Sequence, residues 1–384
     1  MKRILLISLL MLLMSPSAHS EEQPKLKLAP TARVLIDGAL YISPQKEMFP
    51  DGMAISEARI GAKMSYGKWS ALMDVAYSYS KIGLRNMWIE YQINKNHRLR
   101  FGNFIQPFGL ESTYSNSLKS TFEQPISAAI YTPGIQLGVM YGFSNPSFWA
   151  AGAFHVESSA LSTAMNAPLF NQQGYGILGR ALWRSNKADT PIMQFGISAE
   201  FATPQRRLEN NEDVHDGFTL SANFPTKVAQ VQAVGTTVAN SKNLFKFSPE
   251  FLVAKGKLAA EGQYFFQNIS RRNGLHNYVS QAGYVSLRGL ITGGDYAYAS
   301  GIAALDRPRP GALECVLNYN YVTLSDRTAD IYGGRANNFN ATINYYINPY
   351  ITARLNYTFT HTWGHAGHDP LTMSGVQARL MVLF

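Results

Sequence analysis

Cysteine is almost missing from this chain, because Cys315 is the single cysteine among 384 residues. One thiol can build neither a disulfide framework nor a multi-cysteine zinc site, so both scaffolds are excluded. Charged residues are also scarce, at 15% of the sequence against a typical share of about 25%. Since 46% of the residues are hydrophobic, the low charge does not indicate a disordered or collagen-like chain. The avoidance of cysteine fits an oxidising compartment.

Long apolar runs are missing as well. Beyond the N-terminus the sequence has no uninterrupted apolar run of about 18 residues, the length that a transmembrane helix requires. The N-terminus itself has two basic residues, an apolar run over residues 4–14 and small residues before position 21, which is typical of a secretory signal peptide. We predict that residues 1–20 are a cleaved signal peptide and that residues 21–384 form one exported domain. The chain is then either secreted or a membrane β-barrel.

Apolar and polar side chains alternate along the C-terminal part of the chain. Residues 338–347, 350–360 and 372–384 each place apolar side chains on one face and mostly polar ones on the other. Each segment runs for about ten residues, the length that a tilted strand needs to cross a bilayer. Strands of soluble proteins average about five or six residues. The pattern therefore predicts membrane-spanning strands.

Connections of two lengths separate the predicted strands. Tight turns such as Gly67-Lys68 and Asn348-Pro349 mostly alternate with longer links, as periplasmic turns and extracellular loops do in outer-membrane barrels. The longer links cover residues 42–54, 110–133, 157–173, 202–243, 324–335 and 361–371. A long link over residues 289–309 breaks the alternation, because it lies on the side of the tight turns.

The strand count favours a porin-like barrel. Counting gives sixteen strands, and a further hairpin over residues 215–235 would make eighteen. In hydrocarbon every backbone N–H and C=O needs a partner, so a spanning sheet must close on itself. We therefore predict an all-β fold, a transmembrane antiparallel β-barrel wide enough for an aqueous lumen.

Short motifs occur along the chain in a characteristic order and spacing. They include Glu57-Ala58-Arg59-Ile60-Gly61, Arg100-Phe101-Gly102-Asn103-Phe104, Pro107-Phe108-Gly109-Leu110-Glu111, Ser120-Thr121-Phe122-Glu123, Pro310-Gly311-Ala312-Leu313-Glu314 and Asn344-Tyr345-Tyr346-Ile347-Asn348-Pro349. With them the mature sequence resembles the phosphate-selective porin O and P family over nearly its whole length. The resemblance implies a homotrimeric sixteen-stranded channel in the outer membrane of a Gram-negative bacterium, with a third extracellular loop folded into the lumen.

Residues 110–133 would be that third loop. Its charged side chains Glu111, Lys119 and Glu123 are the predicted constriction residues, because a charged loop in the lumen narrows the pore and sets the local field. Two positions depart from the family pattern. Ser56-Glu57 stands where paired arginines often occur, and Gln124-Pro125 replaces an arginine in the third loop. These departures bear on phosphate specificity rather than on the channel.

Strand alternation sends more basic than acidic side chains toward the lumen, and a focused positive field raises the local concentration of anions. The predicted pore-lining residues are Arg33, Arg59, Lys63, Arg98, Arg100, Lys119, Arg180, Arg354 and Arg379. The alternative at each arginine is an ion pair with a neighbouring carboxylate that stiffens the wall. Strict phosphate selection would require guanidinium groups that converge on one oxyanion without carboxylates beside them.

The sequence thus predicts a passive channel for small hydrophilic solutes that prefers anions, with phosphate or polyphosphate among them. Such a protein is not an enzyme and needs no cofactor, metal or nucleic acid, and its surroundings are outer-membrane lipid. One alternative is a lipase-like outer-membrane hydrolase that uses His155 with Ser158 or Ser159. Another is a structural or adhesive barrel closed by its loops. A metal site formed by His361, His365 and His368 is less favoured than solvated loop histidines.

Overall fold

The structure is a computed structural model that describes residues 24–78, 81–115, 117–156, 173–187, 190–209, 212–215 and 217–384. The predicted signal peptide at residues 1–20 lies outside these residues. No helix in the described part of the chain is long and apolar enough to cross a membrane. Almost all regular structure there is β-strand.

The strands follow one another in a simple meander. In chain order they are β1 (Lys27–Ile42), β2 (Gly52–Tyr66), β3 (Trp69–Ser78), β4 (Lys81–Asn94), β5 (His97–Ile105), β6 (Ile135–Ser144), β7 (Phe148–Val156), β8 (Tyr175–Ser185), β9 (Ile192–Ala202), β10 (Arg206–Glu209), β11 (Glu212–His215), β12 (Phe218–Asn223), β13 (Gln232–Val238), β14 (Ser241–Lys255), β15 (Leu258–Arg271), β16 (Tyr278–Leu290), β17 (Tyr298–Ala299), β18 (Ala304–Leu305), β19 (Ala312–Asp326), β20 (Ile331–Tyr346), β21 (Ile351–His365) and β22 (Leu371–Leu383). One α-helix, α1 (Ile126–Tyr131), and two 3₁₀ turns (Lys46–Met48 and Glu111–Thr113) complete the elements.

Sixteen of the strands form a closed antiparallel barrel, in which each pairs with the barrel strands before and after it, so β14 pairs with β9 and β19 with β16. Strand β1 pairs with β22 from Arg33 opposite Leu383 to Ile42 opposite Ser374, so the sheet has no free edge. The predicted fold class and the count of sixteen are confirmed. The eighteen-strand alternative is wrong, because β12 and β13 pair only with each other among the described strands. Their side chains Leu220 and Val234 are buried in an apolar cluster with the inner wall instead of facing lipid.

Side chains alternate between the two faces of the barrel, as strand geometry requires. On β21 the outward Leu355 and Tyr357 are 49% and 43% exposed, whereas the intervening Asn356 and Thr358 are 1% and 0% exposed. The apolar face therefore lies outside and the polar face inside. This arrangement is the reverse of a soluble domain and is the one that a membrane barrel needs.

The two ends of the barrel differ in their connections. At the end that holds both termini, two-residue turns follow β2 and β14, where Gly67 and Gly256 have φ of 55° and 57°. Left-handed residues of this kind suit tight hairpins. The exception at this end is the segment of residues 291–311 between β16 and β19, close to the predicted irregular link. At the other end, the predicted links 324–335 and 361–371 shorten to residues 327–330 and 366–370, because β19, β20 and β21 extend further than their apolar alternation indicates.

Candidate functional site

The third loop, residues 106–134 between β5 and β6, lies inside the barrel. On one side of the lumen Tyr114 donates its hydroxyl hydrogen to Glu261 on β15, with 2.8 Å between Oη and Oε2. On the other side Arg354 on β21 donates to the carbonyl oxygens of Lys119 and Thr121, at 2.6 and 2.7 Å. The charged wall residues Glu261 and Arg354 thus hold the loop inside the lumen. Its inward position agrees with the family resemblance.

The helix α1 carries the third loop back toward β6. The Tyr131 ring stacks on Phe265 of β15 with the centroids 5.4 Å apart. The Tyr131 carbonyl accepts a hydrogen bond of 2.7 Å from Nζ of Lys246 on β14. Gly134 then adopts a φ of 73°, which glycine reaches without steric cost, and the chain turns into β6. The return path therefore lies against β14–β16.

The β12–β13 hairpin enters the lumen from the same end as the third loop. Its tip reaches the β22 wall, where Nε2 of Gln377 donates to the Pro225 carbonyl over 3.0 Å. Lys227 at the tip lies 3.2 Å from a carboxylate oxygen of Glu123 in the third loop. Burial raises the pKa of Glu123, but the charges of Lys227 and Arg379 outweigh it and hold this pKa below its ordinary value. The hairpin and the third loop are joined by charge.

Residues 291–311 fold into the barrel from the opposite end. Tyr298 donates its hydroxyl hydrogen to Gln194 on β9 over 2.6 Å, and Arg307 donates to the Pro349 carbonyl over 2.6 Å. The hydroxyl of Tyr296 donates to Glu314 over 2.8 Å. Burial and the charge of Glu314 raise the pKa of Tyr296, so this hydroxyl stays protonated as a donor. The segment spans the mouth between walls that are far apart in the chain.

Among the described residues, an open space that we call the passage follows the inner faces of β1–β5. It is a cavity of about 1140 Å³ with those strands on one side and the third loop and hairpin tip on the other. Seven basic and three acidic side chains line it. They are Arg33, Arg59, Arg85, Lys119, Lys227, Arg354 and Arg379, with Glu57, Glu111 and Glu123. The lining therefore has an excess of positive charge.

Most of the lining cations have a carboxylate partner. Nε of Arg33 donates to Glu57 over 2.7 Å, and Nη1 of Arg59 lies 3.5 Å from an Asp74 carboxylate oxygen. Arg379 donates to both carboxylate oxygens of Asp37, over 2.6 and 2.7 Å, and also pairs with Glu123. Lys119 pairs with Glu111 over 2.9 Å. The pairs hold the charges in place and reduce the net field, so these side chains both border the cavity and pair with carboxylates.

The structure brings some predicted site residues to the passage and leaves others away from it. Of the predicted residues, Arg33, Arg59, Lys119, Arg354, Arg379, Glu111 and Glu123 lie on the cavity. Arg98 and Arg100 lie off the cavity and pair with Glu90, with 3.9 and 2.6 Å between the charged atoms. Arg180 is 1% exposed and donates to Glu250 over 3.0 Å. Lys63 shares the inward face of β2 with Arg59 but does not line the cavity.

Sequence reasoning missed Arg85 and Lys227. Strict alternation along β4 puts Arg85 on the lipid face with Met87 and Ile89, whereas the structure places it on the cavity. The cause is a shift of register between Met73 and Val75 of β3 and the facing part of β4. A signal was present, because the apolar positions of β4 change from even to odd numbers between residues 84 and 87. Lys227 lies in a loop, where alternation predicts nothing.

The other predicted chemistries gain no support from the geometry. His155 has its Nε2 3.1 Å from a carboxylate oxygen of Glu200, and the proposed partners Ser158 and Ser159 lie outside the described residues. The His365 and His368 rings have centroids 4.3 Å apart. Nevertheless, the described residues contain no group of three His, Cys, Asp or Glu side chains that could hold a metal ion.

Comparisons with known proteins agree with this geometry. The family model described as "Phosphate-selective porin O and P" matches residues 60–384. In-vitro folded OmpT, an outer membrane protein of Vibrio cholerae, is 12% identical with a TM-score of 0.57, covering 94% of this chain and 100% of that chain. An anion-selective porin from Comamonas acidovorans has 12% identity, a TM-score of 0.56 and the same coverage of both chains. A trimer form of in-vitro folded OmpT has 11% identity and a TM-score of 0.55, covering 93% of this chain and 99% of that chain. None of the curated proteins matches the sequence.

Proposed function

This chain belongs to the phosphate-selective porin O and P family and is an outer-membrane porin, and from that premise we propose that its passage conducts small hydrophilic anions in preference to cations. The observation that carries the proposal is the lining of seven basic against three acidic side chains. In a narrow passage with low-dielectric walls, a positive surplus raises the concentration of anions and lowers that of cations. Diffusion through water requires no nucleophile or cofactor, so the proposed activity is not enzymatic.

The charge pairs favour a general anion preference over strict phosphate selection. Arg33, Arg59 and Arg379 each lie beside a carboxylate that competes with a bound anion for the same donors. A tight phosphate site would gain most from forked guanidinium groups free to bind its oxygens. Phosphate is therefore one permeant anion among several in this proposal.

A homotrimer is the proposed assembly. The outer face of β2–β5 has an apolar groove lined by small and flexible side chains, among them Ala62, Ala71, Met73 and Met87. Small residues and methionine suit close packing of a second subunit. The trimer form among the similar solved structures supports the same assembly. Lipid would cover the remaining apolar surface.

Planar-bilayer recording of the purified full-length protein tests the proposed function. Under a tenfold KCl gradient we expect open channels whose reversal potential is shifted from zero toward the equilibrium potential of chloride. Adding phosphate at constant ionic strength should reduce the chloride current only at high concentration, because no tight site holds it. A barrel that inserts without conducting would favour the adhesive alternative. A reversal potential shifted toward the equilibrium potential of potassium would contradict the anion preference.

A further inference from the structure

Arg85 reaches the passage through a β-bulge in β4. Met73 of β3 pairs with Met87 and Val75 pairs with Leu84, so Arg85 and Asn86 together face the one residue Asp74. Two residues opposite one is the defining feature of a bulge, which redirects side chains relative to the regular alternation. The bulge moves Arg85 from the lipid face to the cavity.

Side chains of both neighbouring strands hold this bulge. The carboxylate of Asp74 accepts from the Asn86 backbone N–H over 2.8 Å and from its side-chain Nδ2 over 2.9 Å. On the other side, Nδ2 of Asn103 on β5 donates to the Arg85 carbonyl over 2.6 Å. The backbone groups that a bulge removes from the ladder thus have inward-pointing partners. Asp74, Asn86 and Asn103 are 5%, 9% and 2% exposed, so water has little access to these hydrogen bonds.

Arg85 differs from the other arginines of the passage in its charge environment. Arg33, Arg59 and Arg379 are paired with carboxylates. Arg354 is 4% exposed, and two of its nitrogens donate to carbonyl oxygens of the third loop. The Arg85 side chain is half-buried and makes no ion pair with any carboxylate of the described residues. Its guanidinium group therefore faces the passage without being held in an ion pair, although the Asp74 carboxylate lies on the facing strand.

We propose that Arg85 is the specificity-determining residue of this channel, the group whose charge sets most of the anion preference. This inference rests on the proposed function. The bulge turns the charged Arg85 side chain toward the passage, and Asp74 and Asn103 are positioning residues that keep it turned inward. At this point of the wall a passing anion meets a guanidinium group whose N–H donors are not bound to a carboxylate. The N–H donors of the paired arginines are already bound to carboxylates.

The test compares Arg85→Gln with Lys63→Gln, which removes the same charge from the same wall at a site off the cavity. We expect Arg85→Gln to lower the ratio of chloride to potassium permeability by about two- to fivefold, because one unscreened charge acts at short range in a narrow aqueous space. Lys63→Gln should change the ratio much less. Equal effects of the two variants, or an unchanged ratio in Arg85→Gln, would overturn the assignment.

A chemical version of the test separates charge from folding. In a Cys315→Ala background, Arg85→Cys gives one thiol in the passage, and channels are recorded before and after reagent is added. A methanethiosulfonate reagent with a quaternary ammonium should restore the anion preference, and one with a sulfonate should lower it further. Thiol modification without any change of reversal potential would exclude Arg85. Wild-type channels without anion preference would overturn the proposed function as well, whereas anion-selective wild type with insensitive Arg85 variants overturns this inference alone.

Discussion

The inner faces of β1–β5 and of β19–β22 point into the same lumen but carry different chemistry. The first wall has charged side chains and borders the passage. The second lies under the third loop and the hairpin, and its inward residues are mostly neutral amides and hydroxyls. Among these are Asn318, Asn320, Asn338, Asn340, Thr342, Asn356, Thr358 and Thr360, each at most 7% exposed. Neutral groups that bond to one another cost less to bury than isolated charges. Charged groups thus line the passage, whereas neutral groups prevail under the third loop and the hairpin.

Away from the passage, a group of buried charges lies on β15, β16 and β19. Arg288 donates to Glu314 over 2.9 Å and lies 3.5 Å from Glu261, and these side chains are almost fully buried. Arg180 on β8 and Glu250 on β14 form a similar pair, whose side chains are both 0% exposed. An inward side chain therefore contributes to conduction where it borders the passage and to stability where the third loop, the hairpin or residues 291–311 cover it.

The largest expected effect is on stability, from breaking a covered pair. Arg288→Met leaves the Glu314 and Glu261 carboxylates buried without their cation, and we expect a loss of about 3–5 kcal/mol in the free energy of unfolding. Urea unfolding of the barrel in lipid vesicles, followed by tryptophan fluorescence, measures it. Lys46→Met at a half-exposed loop pair is the matched control and should leave the unfolding midpoint unchanged. Similar midpoints for both variants would mean that burial does not distinguish the two pairs.

A smaller loss of stability is expected from the neutral network. Nδ2 of Asn338 donates to Thr358, Thr360 and the Phe359 carbonyl, and its Oδ1 accepts from Asn320 and Asn340. Asn338→Ala leaves several of these groups unpaired, so we expect a loss of about 1–3 kcal/mol. The reversal potential should stay at the wild-type value, because the change lies behind the third loop. A shift in selectivity would show that the covered wall takes part in conduction.

The smallest effect concerns pH. The pKa of Glu123 in the folded protein lies below its ordinary value, so the link from the third loop to Lys227 and Arg379 stabilises the fold above the ordinary pKa and is lost as the pH falls through the lowered one. Conductance and its noise should therefore be constant from pH 7 to about pH 5, above the ordinary glutamate pKa of about 4.3. Noise should rise only in stronger acid. Glu123→Gln should show raised noise already at pH 7, and a wild-type transition near pH 6 would contradict this account.

Much of the fold was predictable because one rule applied to every strand. Hydrocarbon demands closed hydrogen bonding and alternating side chains, and that demand is visible in residues such as Leu355, Asn356 and Tyr357 without knowledge of the rest of the chain. The same alternation placed Arg33, Arg59, Arg354 and Arg379 on the inward face. The rule failed at Arg85, where a bulge changes the phase of β4.

Local alternation and backbone hydrogen bonding suffice to predict a barrel and, outside the β4 bulge, which face of its strands avoids lipid. The choice of sixteen strands over eighteen came from the tertiary structure, which folds β12 and β13 into the lumen. The sequence by itself did not determine which inward groups meet water. Arg180 and Arg59 have the same local pattern, yet one is buried in a pair and the other borders the passage. That difference is decided by where the third loop, the hairpin and residues 291–311 pack, and such contacts join residues far apart in the chain.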